Sequence, residues 1–463
     1  MDSERHRFVE GAREHPSVGE AGRPLVVLLD EEAAVELTAH GRMELQLEAE
    51  RVGESAAEAE VVVCDSIGRL GHAQRRNLRR AARRAERDVH YAGSVAAAGA
   101  KVDEQTLLDA ARRGDEAAFG RLIEARRAEL HAHCYRMLGS AHDADDALQD
   151  TMLRAWRGLP KFEGRSSLRA WLYAIATNTC LDMIARRPKR VLPIDLAPPA
   201  DPREGPGEPV TESVWIEPYP DDVIGVEDGY AAPEARYEQR EGVELAFVAA
   251  LQNLPPNQRA ALILREVLGF SAKETSEMLS TSVASVNSAL QRARKAVEER
   301  TGEQTQQATL RAIGDERLRE IVDAYVAAWE RDDVDAVVEM LTADATFAMP
   351  PLRTWFGGHD DVARFLVGSP MSGQWRWRPL RVRANGQPAL AFYAWNDEAG
   401  AYLPFALNVL TFRDDRIRDV TAFIARTPPA PDREVVARMP EHPEDPERMD
   451  AAFRRFNLPE RLD

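Results

Sequence analysis

Nine prolines fall between residues 191 and 241, among many acids (DPREGPGEPVTESVWIEPYPDDVIGVEDGY). Proline removes a backbone donor and fixes φ, so neither a helix nor a central strand runs through such a stretch. A packed domain rarely carries so long a segment without elements of its own. The chain must therefore fold as separate units on either side of a linker, here bounded at 191–241. At 463 residues, about three domains of ~150 residues are expected. Within the linker, VWIEPYP is apolar enough to lie on a partner surface.

The flanking blocks differ in period. Over 103–190 apolar residues recur at helical spacing (Leu107, Leu108, Ala111; Phe119, Leu122, Ile123), and further helices are expected around Leu130–Leu138, Ala144–Arg157 and Leu168–Arg186. Residues 242–301 read as a second compact helical block. Over 315–428 a long amphipathic helix (Leu318, Ile321, Val322, Tyr325, Val326, Trp329) and a shorter one precede strand-like segments: WRWRPLRVRA, ALAFYAW, PFALNVLTF and IRDVTAFI. RDDR between the last two suits a hairpin turn. Helices first and a meander afterwards make this an α+β unit. The tail, 429–463, is polar and proline-rich, with a short helix expected near Ala451–Phe456. Residues 1–100 hold two strand-like runs, PLVVLL and AEVVVC, then an Arg-dense helix from Arg75. They read as a small α/β extension.

A net charge of −17 argues against a generally basic nucleic-acid binder, because phosphate neutralisation needs clustered Lys and Arg. It leaves room for local basic faces, at Arg75–Arg87, Arg186–Arg190 and Arg292–Lys295. Cys64, Cys134 and Cys180 form no CxxC pair, so no disulfide scaffold or zinc site is expected. HAHC at 131–134 lies in one helix without distant partners and reads as helix surface. With no apolar run long enough for a bilayer and a charged N-terminus, the reading is a cytoplasmic protein without a membrane segment.

The most specific local signal is FSAKETSEMLSTSVASVNSALQRARKAVEER. Ser271 opens a capping box with Glu274. Met278 and Leu279 close an apolar face, Ser280-Thr281 make a turn, and Ser282 caps a second helix. That helix places Val283, Val286 and Leu290 inward and Asn287, Ser288, Gln291 and Arg292 outward, with Arg294 and Lys295 at its basic end. This is a helix-turn-helix pattern, whose second helix enters the major groove. Amides and guanidinium groups read base edges bidentately. A plain amphipathic hairpin is the alternative.

HDADDALQDTMLRAWRGLPKFEGRSSLRAWLYAIATNTCLDMIARRPKR resembles region 2 of the extracytoplasmic-function (ECF) sigma factors. LPPNQRAALILREVLGFSAKETSEMLSTSVASVNSALQRAR resembles their region 4. HCYRMLGS, WIEPYPD and SVNSALQRAR are similar to a subgroup with a C-terminal SnoaL-like, NTF2-like cone. The resemblance implies a multidomain fold: a region 2 helical bundle, a region 4 helix-turn-helix and the α+β cone, after the small N-terminal extension. It implies two partners, core RNA polymerase and promoter DNA. Asp145, Asp146, Gln149 and Asp150 would dock on the clamp of the largest polymerase subunit. Lys161, Phe162, Arg165, Asn178, Arg186, Arg187, Lys189 and Arg190 would serve the −10 element, where a base is flipped from the stack. Asn287, Ser288, Gln291, Arg292, Arg294 and Lys295 would serve the −35 duplex. At Asn287 many relatives carry a basic residue; its amide favours adenine.

Two rival readings remain open at this point. One is a helix-turn-helix regulator that does not engage polymerase. The other is a bifunctional protein whose C-terminal unit is an enzyme. Tyr325, Trp329, Phe347, Trp355, Phe356, Trp375, Trp377 and Tyr393 could line a pocket or fill a core. His359 with Asp360 reads as a helix start, and no GxSxG, HExxH or paired-carboxylate motif is found. No cofactor, metal or catalytic residue is expected, and the third unit reads as regulatory, its ligand unspecified.

Overall fold

The structure is a computed structural model that describes residues 104–205, 214–224, 242–301, 304–425 and 452–463. The expected N-terminal lobe over 1–100, with its Arg75 helix, lies outside the described residues. The chain divides into two units, Met1–Ala111 and Arg112–Asp463. Of the first, the described residues 104–111 are helical. The second holds everything that follows.

Its first layer is a bundle of α1 (Glu116–Glu124), α2 (Arg127–Leu138), α3 (Ala141–Gly158) and α4 (Leu168–Ile184). Gly139, at φ 69°, ends α2 in the left-handed conformation, which glycine adopts without the steric penalty of a Cβ. Ser140 then caps α3 by accepting from Asp143 N at 3.0 Å, and Ser167 caps α4 by accepting from Ala170 N at 3.1 Å. α2 runs through the middle, packed by α3, α4 and the segment around 221–224. All of Leu130–Leu138 is buried. The expectation that HAHC forms helix surface is therefore corrected: His131, His133 and Cys134 are interior because neighbours cover α2 on every side. His133 is fully buried, bonds Thr177 Oγ1 at 2.9 Å and meets the Tyr173 ring edge-on. Burial, helped by the nearby Arg136 charge, pushes its pKa down to about 3.

The second helical block is α5 (Leu245–Gln252), α6 (Pro256–Leu262, continued by a π-turn over Ile263–Val267), α7 (Ala272–Met278) and α8 (Val283–Thr301). The third begins with α9 (Gln306–Ile313), α10 (Asp315–Glu330) and α11 (Val334–Glu339). Strands β1 (Leu341–Ala348), β2 (Trp355–Gly357), β3 (Trp377–Ala384), β4 (Gln387–Asn396), β5 (Ala401–Arg413) and β6 (Arg416–Ile424) follow, with α12 (His359–Gly368) between β2 and β3. The sheet order is β2-β1-β6-β5-β4-β3, with β1 and β6 parallel and the other neighbours antiparallel. β3 to β6 fall where alternation places them, and Asp414, at φ 53°, turns the expected RDDR hairpin. β1 and β2 escaped the sequence reading. The β1–β6 register breaks between Leu341 and Thr346, which destroys the period of two.

Aromatic side chains pack the cone interior. Trp329 stacks edge-on against Phe392 (ring centroids 4.7 Å apart) and Trp377, while Phe356 lies on Phe365 at 4.5 Å. Tyr325, Trp329, Phe347, Phe356 and Trp377 belong to one buried cluster. Tyr393 is buried on the opposite face of β4, against Phe453.

The linker is not merely a spacer. Trp215, Ile216 and Tyr219 are buried, and their partner is this chain itself rather than a separate protein. Val191 pairs with Trp215 as a short parallel bridge. The Tyr219 ring stacks on Tyr135 at 4.2 Å, and Tyr219 Oη meets His131 Nδ1 at 2.7 Å. Tyr135 Oη donates to Glu217 O at 2.8 Å. On the other side Tyr219 N donates to Asn385 Oδ1 (3.0 Å) and Asn385 N to Tyr219 O (2.7 Å). Asn385 Nδ2 donates to Tyr135 Oη and to Val243 O, each at 2.8 Å. One asparagine at the tip of the β3–β4 hairpin thus joins the first bundle, the linker and the entry to the second helical block. Its φ of 57° is one that Asn and Gly tolerate.

Asn385→Gly keeps the turn and strands buried Tyr219 N and Val243 O, so the unfolding midpoint should fall by the equivalent of roughly 3 kcal/mol; an unchanged midpoint contradicts the hub. His133 binds its proton far less readily folded than unfolded. The unfolded state therefore takes up more protons between about pH 6.5 and 3, and stability is lost as pH falls through that window. By pH 5 the loss is about 2 kcal/mol, and the pH slope of His133→Gln should be flatter than that of the parent.

Candidate nucleic-acid interface

The helix-turn-helix is built as its residues dictate. Ser271 Oγ accepts from Glu274 N at 3.2 Å, and Glu274 Oε2 accepts from Ser271 N at 2.9 Å. This reciprocal cap holds the Glu274 carboxyl below its usual range. Ser280, at φ 49°, makes the turn, and Ser282 Oγ caps α8 through Ser285 N at 3.1 Å. Val286, Leu290, Ala293 and Val297 are the buried row of α8. Val283 was expected inward and is 42% exposed: it stands in the first turn of α8, beyond the cover of α7. Asn287, Ser288, Gln291, Arg292, Arg294 and Lys295 are all exposed. Arg294 pairs with Glu266 at 2.7 Å and Lys295 lies 3.9 Å from Glu299.

On the first bundle, Asp145, Asp146, Gln149 and Asp150 form an exposed row along α3. Asp145 Oδ1 lies 2.8 Å from His131 Nε2. A carboxylate only accepts, so Nε2 carries the proton, and in the neutral ring Nδ1 accepts from the Tyr219 hydroxyl. Partial burial raises the Asp145 pKa, but hydrogen bonds from His131 and Arg455 outweigh it and hold the carboxyl below the ordinary range.

The residues expected at a −10 element separate into two groups. Lys161, Arg165, Asn178, Arg186, Arg187 and Lys189 are exposed. Phe162 and Arg190 are buried, which corrects their assignment as presented groups. Phe162 closes the bundle against Trp171 at 4.9 Å. Arg190 bonds buried Asp143 through Nε at 3.1 Å and donates to Trp215 O at 2.6 Å; Arg187 joins the same carboxylate. An ion pair at the foot of α3 thereby fixes the start of the linker. Arg187, Lys189 and Arg190, with Arg259 and Asn253, line a cavity of about 310 Å³ between the two helical blocks. Partial desolvation against the cavity wall lowers the Lys189 pKa.

One residue the sequence reading missed is Arg169. It lies over the rings of Phe270 (4.4 Å) and Tyr173 (5.1 Å) and donates to Leu268 O at 3.1 Å. Asn178 Nδ2 bonds Ala174 O at 2.8 Å and reaches Met278 O at 3.5 Å. The α4 face that carries Asn178 therefore packs against the helix-turn-helix. No local pattern in the sequence marks Arg169, because two of its three partners, Leu268 and Phe270, lie about a hundred residues away.

Among the described residues no group of three or more His, Cys, Asp or Glu could hold a metal ion, and no helix is long and apolar enough to cross a membrane.

The families sigma-70 region 2, sigma-70 region 4 and SnoaL-like domain match residues 122–190, 244–297 and 322–420. The ECF RNA polymerase sigma factor SigG of Mycobacterium tuberculosis is 42% identical over 364 residues, covering 74% of this chain and 94% of SigG. SigJ of the same organism is 30% identical over 286 residues, covering 60% of this chain and 79% of SigJ. The crystal structure of Mycobacterium tuberculosis SigJ aligns with a TM-score of 0.43 at 23% identity, over 69% of this chain and 98% of that one. The chain belongs to the ECF RNA polymerase sigma factors. It binds core RNA polymerase and promoter DNA and directs promoter-specific initiation of transcription.

The corrected role of Arg190 has a direct check. Arg190→Met leaves Asp143 short of a buried partner, and should cost roughly 3 kcal/mol of stability as read by thermal unfolding. Loss of promoter affinity with unchanged stability would return Arg190 to the DNA-facing set.

Proposed function

We propose that three surfaces divide the work of initiation. The α3 row Asp145, Asp146, Gln149 and Asp150 docks on the clamp of the largest polymerase subunit. Complementary charge there sets register and association rate more than affinity. Lys161, Arg165, Asn178, Arg186, Arg187 and Lys189 meet the −10 element as its strands part, with cations tracking phosphate. Asn287, Ser288, Gln291 and Arg292 read the −35 duplex from the major groove, with Arg294 and Lys295 on phosphates. The observation that carries this reading is α8 itself, whose buried row Val286, Leu290, Ala293 and Val297 leaves the amide and guanidinium row outward. The domain boundaries follow the same division: 103–190, 242–301 and 315–428, with work in the cytoplasm beside the polymerase.

The C-terminal domain acts as a regulator and not as an enzyme. Its interior is occupied by Trp329, Trp377 and Phe392. Several of its polar groups bond the sigma blocks. Gln387 Oε1 accepts from Leu245 N at 3.0 Å, and Glu244 accepts from Gln306 N and Gln307 N at 3.1 and 2.7 Å. Because Asn178 touches the helix-turn-helix, the free chain holds its two DNA surfaces together, and they must part on a promoter.

Run-off transcription with purified core polymerase on a mapped promoter tests the whole reading: promoter-specific transcripts are expected only when this chain is added. Exchange of one reader tests the −35 assignment. Asn287→Arg should move the preference at its base from adenine towards guanine by about tenfold or more, since a bidentate pair discriminates by ~1–3 kcal/mol. An unchanged base preference in a binding-site selection would remove Asn287 from the readers.

A further inference from the structure

The last residues of the chain form a strap. Phe453 and Phe456 are buried, with Phe453 edge-on to Tyr393 at 5.4 Å. Tyr393 Oη donates to Pro459 O at 2.8 Å. Tyr402 and Leu462 exchange both backbone hydrogen bonds at 2.9 Å, and Arg378 donates to Asp463 O. The segment 452–463 is thus seated on the outer face of β4 and against β3 and β5.

That seating alone would cover the sheet. It also delivers one side chain to a different domain. Arg455 Nη1 lies 2.6 Å from Asp145 Oδ2, some three hundred positions back in sequence, while Asp145 Oδ1 is held by His131. Both oxygens of the first acid in the α3 row are therefore engaged. Arg455 is 21% exposed and Asp145 53%, so the guanidinium sits over the carboxylate at the rim of the row. A row of acids and an amide is complemented by a partner surface that carries its own arginines or lysines. Such a partner needs the position that Arg455 fills.

We propose that segment 452–463 is an intramolecular stand-in for the polymerase, with Arg455 occupying on Asp145 the place of a cationic group of the docking surface. The strap thus competes with core polymerase for α3. This rests on the proposed docking role of the α3 row. The competition is weak by design of its chemistry. A partly exposed ion pair is worth at most ~1 kcal/mol, which corresponds to about a fivefold change in apparent affinity.

The test uses the full chain, fluorescently labelled and titrated with core polymerase in the absence of DNA. Arg455→Ala should bind core about three- to fivefold more tightly, with its thermal midpoint essentially that of the parent, and Arg455→Lys should restore most of the weaker binding. Unchanged or weaker binding by Arg455→Ala overturns the proposal. Asp150→Asn, on the same row and away from the strap, reports separately on docking. If it weakens core binding while Arg455→Ala changes nothing, the docking surface stands and the strap is refuted. If Asp150→Asn and Asp145→Asn both leave core binding unchanged, the docking role of α3 falls, and the strap proposal with it.

Discussion

The arrangement of this protein depends on a buried junction, where Tyr219 from the linker lies between Tyr135 of α2 and Asn385 of the sheet. Each polar group there has a partner: the Tyr135 hydroxyl both donates to Glu217 O and accepts from Asn385 Nδ2. Buried polar groups in low dielectric are costly when orphaned and specific when paired. The junction therefore does more than add stability. It fixes which hairpin tip meets which helix. Removing one partner leaves the others unsatisfied, so the three parts of the molecule are coupled through it.

Much of this was legible in the sequence, for local reasons. The capping box at Ser271–Glu274, the buried row from Val286 and the strands β3 to β6 rest on short-range chemistry and regular period, and they fold as those dictate. β1 was missed because a register break spoils its alternation. The exposed position of Val283 and the buried ones of His131, His133 and Arg190 depend on what packs over them, and a helix pattern alone does not contain that. The linker shows the same limit. Among its described residues the prolines leave short 3-10 turns and isolated bridges in place of long elements. Its apolar VWIEPYP reads as a segment that lies on a partner surface, and only the fold shows that this partner lies in the same chain. The outward row of α8 was legible because its neighbours in space are also its neighbours in sequence. Arg169 and Arg455 were not, since Arg169 reaches Leu268 and Phe270 across about a hundred positions and Arg455 reaches Asp145 across about three hundred.

The acidic total of the chain is compatible with DNA binding because charge is sorted by surface. The acids of α3 form one row, while the cations at Arg186–Lys189 and Arg292–Lys295 form separate patches. Several of these cations are pledged to acids within the molecule, as Arg187 is to Asp143 and Asp146. The C-terminal domain belongs to the same economy of contacts: a cone whose hairpin tip, helix start and final strap all touch the sigma blocks.

The central claim is that the free chain holds its two DNA-facing blocks closed and that polymerase and promoter separate them. Distance measurement between fluorophores at exposed positions of α3 (Leu153→Cys) and α8 (Glu298→Cys) tests it most directly. One short distance is expected for the free chain, and a clearly longer one in complex with core polymerase and promoter DNA. The same distance in both states would contradict the account.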